Sequence, residues 1–231
     1  MNEPFKNLRI RCYLQTGVIS DQFLPLDSIL YYHLVRREMG EETITKPGES
    51  NIREGQGITL PIKKGGRKDE TWFYHCSFAQ WPDHVVEDSS FKVKQGDWLR
   101  HTDFLNDKTK RVDIQRGKFK AYHIKMYYRF ANYIDWYCVG WPDRIIELLQ
   151  FCTGIGKNTG DGWGQVKKWE VTEWPEDWSI RGFNNKLMRN VPLNDQNGRG
   201  FLYGIRPSYW NARHQFICKM PIIDGRTKNN N

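Results

Sequence analysis

Residues 142–171 read Pro142-Asp-Arg-Ile-Ile-Glu-Leu-Leu-Gln-Phe-Cys152, then Thr153-Gly154-Ile-Gly156-Lys157-Asn158-Thr-Gly160-Asp-Gly162-Trp163-Gly164, then Gln165-Val-Lys-Lys-Trp-Glu-Val171. The first part spaces its apolar side chains as a helix does, and the last reads as a strand. Between them lie five glycines in eleven residues. Glycine admits φ > 0 and lets a second backbone or a phosphate approach where a Cβ would stand. Two uses fit: a tight bend, or a backbone surface open to a phosphate. Order excludes a nucleotide enzyme. Phosphate loops of that kind run strand, glycines, helix, so that the helix N-terminus meets the phosphate; this run goes helix, glycines, strand. The Walker spacing fails at Lys157-Asn158, and GxGxxG read from Gly154 ends on Thr159.

Working outward, Leu8–Leu14 alternates. Leu8, Ile10, Cys12 and Leu14 face one way, while Arg9, Arg11 and Tyr13 face the other. Residues 26–38 form a helical stripe of Leu26, Ile29, Leu30, His33 and Leu34, with Asp27 in the first turn, where the helix dipole favours an acid. A loop or weak hairpin is expected over 40–69, a strand dense in aromatics over 70–80, a third strand over 130–139, a second helix around 145–149 and a fourth strand over 165–171. With the intervening insertion removed, the order is βαββαβ. The expected fold class is therefore α+β, a ferredoxin-like (RRM-like) domain. One domain spans 1–221 with a thumb-like insertion at 83–129 and a C-terminal extension; 222–231 reads as a flexible tail.

The net charge is +8. Between Phe91 and Arg129 eleven basic residues stand against four acids, a local excess of +7. Charge this localised is the footprint of a polyanion-binding element. Lys108, Lys110, Arg111, Arg116, Lys118 and Lys120 are its densest part. The five cysteines are scattered and form no CxxC pair, so buried thiols are expected rather than zinc or disulfides. No metal ligand set and no cofactor motif is found. No run approaches the roughly 18 apolar residues of a membrane span. Residues 1–6 lack the layout of a signal peptide, and a cytoplasmic protein without a membrane partner is expected.

The sequence helix, GxGxxxGxGxGxV, strand resembles the signature of the RAMP proteins of CRISPR systems, here from Gly154 to Val166. More narrowly, the chain is similar to the Cas-five-like subunit of type IV effector complexes. That similarity extends over Leu26–Leu30, Gly117–Tyr122, Trp136–Gly140, Arg189–Pro192 and Pro207–Trp210, and spans 7–221. The resemblance implies a non-catalytic subunit that binds the 5′ handle of a CRISPR RNA and caps a backbone filament. Its partners would be that RNA and the backbone-forming and large subunits, with target nucleic acid engaged indirectly. Phosphates need cations and amide donors, and single-stranded bases need aromatic or guanidinium planes. Gly156, Lys157, Asn158, Gly160 and Gly162 of the loop, the lysines and arginines of the insertion, and Trp163, Trp98, Tyr122, Arg9 and Arg11 are the candidates. Some RAMP proteins cut RNA without metal through a histidine, tyrosine or lysine. A metal-independent endoribonuclease is the alternative, with His101 and His123 in the basic segment as its general acid–base candidates.

Overall fold

The computed structural model describes residues 4–39, 58–66, 71–94, 120–193 and 199–222. In chain order the elements are β1 (Lys6–Leu14), α1 (Leu26–Met39), β2 (Lys64–Gly65), β3 (Phe73–Tyr74), β4 (Val86–Lys94), β5 (Tyr122–Phe130), β6 (Tyr133–Gly140), α2 (Pro142–Leu149), β7 (Val166–Glu173), β8 (Val191–Pro192), β9 (Phe201–Gly204) and β10 (Gln215–Lys219). The architecture is mixed, mostly strands with two helices.

The main sheet runs β6-β1-β7, antiparallel throughout. The alternation of β1 sorts its side chains as expected. Leu8, Ile10 and Cys12 are 1% exposed or less and meet both helices, while Arg9, Arg11 and Tyr13 stay half-buried on the other face. Leu26, Ile29, Leu30 and Leu34 of α1 and Ile145, Leu148 and Leu149 of α2 complete this core. Pro142 opens α2, where its missing N–H costs no hydrogen bond. Trp136 is fully buried and donates its Nε1–H to the Leu24 carbonyl at 2.9 Å.

Three boundaries differ from expectation. The strand expected over 70–80 is only Phe73–Tyr74, followed by single bridges. Cys76 meets Cys138, Phe78 meets Pro25, and Gln80 meets Asp135, so this aromatic run is shared among different neighbours. The third strand begins at Tyr133, because Phe130 closes β5 and the chain turns at Ala131-Asn132. The basic insertion begins and ends as the nine-residue antiparallel hairpin β4–β5, with 95–119 outside the described residues.

The C-terminal extension folds as a small sheet, β8-β10-β9. It is tied to the core by Arg189, 1% exposed, whose guanidinium donates to the carbonyls of Tyr74, Cys76 (3.2 Å) and Ile205 (2.7 Å). Asp27, also fully buried, accepts the Tyr209 hydroxyl at 2.8 Å and lies 4.0 Å from Arg189. Burial pushes the Asp27 carboxyl up, opposed by Arg189 and Tyr209. Asp27 thus anchors a distant segment as well as standing in a helix first turn. All five cysteines are buried free thiols, as expected from their apolar surroundings. Among the described residues no helix is long and apolar enough to cross a membrane.

Candidate nucleic-acid interface

The glycine loop is built around residues 15–20, which leave β1 and thread between the loop and β5. On the loop side, Gln15 N–H reaches the Gln165 carbonyl (2.9 Å) and Gly164 N–H the Gly17 carbonyl (2.7 Å), while Lys157 N–H reaches the Ile19 carbonyl (2.6 Å). The Thr16 hydroxyl donates to the Gly162 carbonyl and accepts from Gln165 N–H, both at 2.9 Å. On the hairpin side, Val18 and Arg129 exchange two backbone bonds of 2.8 and 3.0 Å. One extended segment therefore welds the loop to the insertion.

Two glycines make that weld possible. At Gly156 (φ +82°) a Cβ would stand 2.5 Å from the Ile19 carbonyl oxygen, and at Gly164 (φ +63°) 1.9 Å from that of Ile155. Gly160 and Gly162, proposed from sequence alongside Gly156, have open space where a Cβ would go. The close approach inside the protein belongs to Gly156 and Gly164, whereas Gly160 and Gly162 lie on the outer turn, at Thr159–Asp161 and its C-cap.

Side chains reinforce the junction. Trp163 packs against Tyr128 of β5 with ring centroids 4.7 Å apart. Asn158, in the left-handed region at φ 58°, places its amide nitrogen 3.0 Å from the Met126 sulfur. Lys92 of β4 pairs with Asp161, and that hydrogen bond raises the Lys92 pKa. Lys157 pairs with Asp21 at 2.8 Å, both side chains mostly exposed. Surface pairs of this kind are weak because water screens both charges, so a phosphate competes readily for either lysine.

The β4–β5 register separates two faces. Met126, Tyr128 and Lys92 turn toward the glycine loop; Phe91, His123, Lys125 and Tyr127 turn to solvent. On the solvent side Phe91 and His123 stack at 4.4 Å with an interplanar angle of 11°, and the Lys125 ammonium stands 5.0 Å from the Tyr127 ring centre. Tyr127 is 68% exposed and Phe91 55%. Exposed rings on a two-stranded ribbon are an arrangement that stacks unpaired bases. Phe91 and Tyr127 are missing from the sequence-derived candidates, which include His123 only as a general acid–base group. Their signal is the odd-numbered register of Tyr122–Phe130, which becomes readable only once its partner strand is known.

The remaining candidates divide. Lys120 is exposed at the foot of β5 and Tyr122 is half-buried at its start. Lys108, Lys110, Arg111, Arg116, Lys118, Trp98 and His101 lie outside the described residues. Arg9 and Arg11 share the sheet face opposite the helices but are engaged there. Arg11 donates twice to Asp135 (2.7 Å each) over the Tyr133 ring, and Asp135 holds its pKa well above the usual value. Arg9 pairs with Glu170 at 3.3 Å and lies over Trp174. Among the described residues no three His, Cys, Asp or Glu side chains gather to hold a metal.

A family model, CRISPR type IV associated protein Csf3, matches residues 6–221. The chain belongs to this family. No curated protein matches it. The glycine loop, the hairpin arms and the C-terminal sheet all fall within the matched span of this Csf3 family member, which places it in a type IV CRISPR system.

Proposed function

We propose that this Csf3 family protein is a non-catalytic CRISPR RNA-binding subunit of a type IV ribonucleoprotein complex, taking the 5′ handle and capping the backbone filament. The observation that carries this is the weld between the glycine loop and the basic hairpin through Val18–Arg129, Lys92–Asp161 and Tyr128–Trp163. It places Lys157 and the uncrowded outer turn at Gly160 and Gly162 next to an arm that bears Lys120 and Lys125 and leads into the basic 95–119 segment. Phosphates take the lysines, and bases take the exposed rings of Phe91, His123 and Tyr127.

The core is proposed to be that of a ferredoxin-like RAMP domain. In support, the bridges of Cys76 to Cys138 and Gln80 to Asp135 put the 76–80 run beside β6, where the second strand of a βαββαβ sheet belongs. The test is direct. The purified protein is titrated with repeat-derived RNA carrying the 5′ handle and with a scrambled strand of equal length, in EDTA. The proposal expects at least tenfold tighter binding of the handle and intact RNA. Equal affinity for both strands overturns handle recognition. A discrete cleavage product, lost in His123→Ala or His101→Ala, makes the protein an endoribonuclease instead.

A further inference from the structure

The two edges of the main sheet are treated differently. Along β6 the outer edge is covered, since Ile62, Cys76 and Gln80 bridge to Gly140, Cys138 and Asp135. Along β7, beyond Val166, whose N–H bonds to the Thr153 carbonyl at 3.0 Å, no backbone among the described residues pairs on the outer side. The bond from Trp174 N–H to the Asn7 carbonyl (2.8 Å) sets the phase of the ladder. Alternate residues of an antiparallel strand point their amides and carbonyls to opposite sides. With Leu8 opposite Glu173 and Arg9 opposite Thr172, the backbone groups of Lys168, Glu170 and Thr172 face β1, and those of Trp169, Val171 and Glu173 face outward. Such a row is a template for another strand.

Beside this edge lies a groove of about 340 Å³ between α2 and β7, lined by Ile146, Gln150, Val166, Trp169 and Val171. Ile146 is 46% exposed, and Phe151 beyond the end of α2 is 65% exposed. Lys167 stands exposed at its mouth, while the Lys168 ammonium lies over the Tyr13 ring on the other face of the sheet, 3.7 Å from Glu170.

We infer that β7 is a docking edge to which a protein partner of the type IV complex adds an extended segment as a further strand, with apolar residues alternating with acidic ones. Three features select that occupant. The alternating outward amides and carbonyls match the donor and acceptor spacing of a peptide backbone, whereas a phosphate backbone offers acceptors only and leaves the outward carbonyls unpaired. The apolar groove takes every second side chain. Lys167 favours a carboxylate at the mouth. This inference rests on the family's place in a CRISPR complex and not on the RNA-binding proposal.

The test is amide hydrogen exchange on the full chain, alone and in the reconstituted complex with its cognate subunits, together with two variants. Expected is at least tenfold slower exchange of Trp169, Val171 and Glu173 on assembly. Glu173→Pro removes an outward N–H at an exposed position of the strand and is compatible with an edge strand, so the isolated variant keeps its melting temperature while its incorporation falls at least tenfold. Ile146→Glu, which brings a charge into the groove, has the same effect on incorporation. Unchanged exchange on assembly, or normal incorporation of both variants, overturns the inference. Protection already complete in the isolated monomer means that the chain covers its own edge. Protection that appears with dimerisation of the isolated protein means that a second copy is the occupant. Either result also overturns it.

Discussion

A Cβ on Gly164 would stand 1.9 Å from the carbonyl oxygen of Ile155, inside any possible atomic contact. The same residue donates its N–H to Gly17, so relaxation at this point breaks the weld between loop and hairpin. Gly164→Ala is expected to cost about 3 kcal/mol or more, from left-handed strain and backbone displacement together. Gly160→Ala, into open space, is expected to stay within about 0.5 kcal/mol of wild type. Thermal unfolding of the two variants checks the contrast, and similar losses in both would contradict it.

Replacing Lys120, Lys125 and Lys157 by glutamine is expected to weaken RNA binding and to flatten its salt dependence. Each phosphate contact to a single strand contributes about 0.7 to the slope of log K against log salt, so the triple variant loses about 2. Fluorescence anisotropy over a salt series measures this. An unchanged slope would remove these lysines from the interface.

Arg189 serves four carbonyls, those of Tyr74, Cys76, Asn190 and Ile205, and faces Asp27 with almost no water-accessible surface. Arg189→Ala leaves a buried carboxylate and several acceptors without their cation, which costs about 3–5 kcal/mol. The expected result is loss of soluble protein or a melting temperature lower by ~6–20 °C. Tyr209→Phe, which deletes one hydroxyl bonded to Asp27, is expected to cost about 1–3 kcal/mol. Chemical denaturation of both variants tests the order of the two effects.

Asp177 accepts from the Ser179 N–H (3.0 Å) and hydroxyl (2.5 Å) and faces His75 Nδ1 at 3.6 Å. The facing His75 first, and the hydrogen bonds from Ser179 after it, hold its carboxyl down at about 2. A depressed carboxylate adds stability above its unfolded pKa of about 4, and that stability disappears as pH falls through its folded value. Asp177→Asn should therefore cost about 1 kcal/mol at pH 7, the carboxylate being half-exposed and screened. The gap should close between pH 4 and pH 2. Denaturation of both proteins over that range reads it, and a gap independent of pH would contradict this account.

Much of the frame is legible in the residues alone. β1, α1, α2 and β7 carry strong periodicity over a single face, and each stands within a few residues of its expected position. The 70–80 run is less legible because its burial comes from neighbours on different sides, which erases alternation. The Phe130–Tyr133 turn escapes sequence reasoning because Ala131-Asn132 carries no glycine or proline between two aromatic strands. At the candidate site, the sequence marks the glycine loop but not which of its glycines is constrained, since that depends on the carbonyls of Ile19 and Ile155.

The sequence by itself determined the alternating core strand, the two amphipathic helices, the helix–glycine–strand order and the concentration of charge between Phe91 and Arg129. Those are local patterns, set by side-chain period and by chain composition. Tertiary structure alone decided that Arg11 is neutralised by Asp135, 124 positions away, and that Asp27 is bonded to Tyr209, 182 positions away. It also decided that the basic hairpin docks on the glycine loop and that no backbone among the described residues pairs with the outer side of β7 beyond Val166. The reason is physical: an ion pair or a strand partner across such separations is chosen by the packed fold, and it leaves no period in the residues around either member.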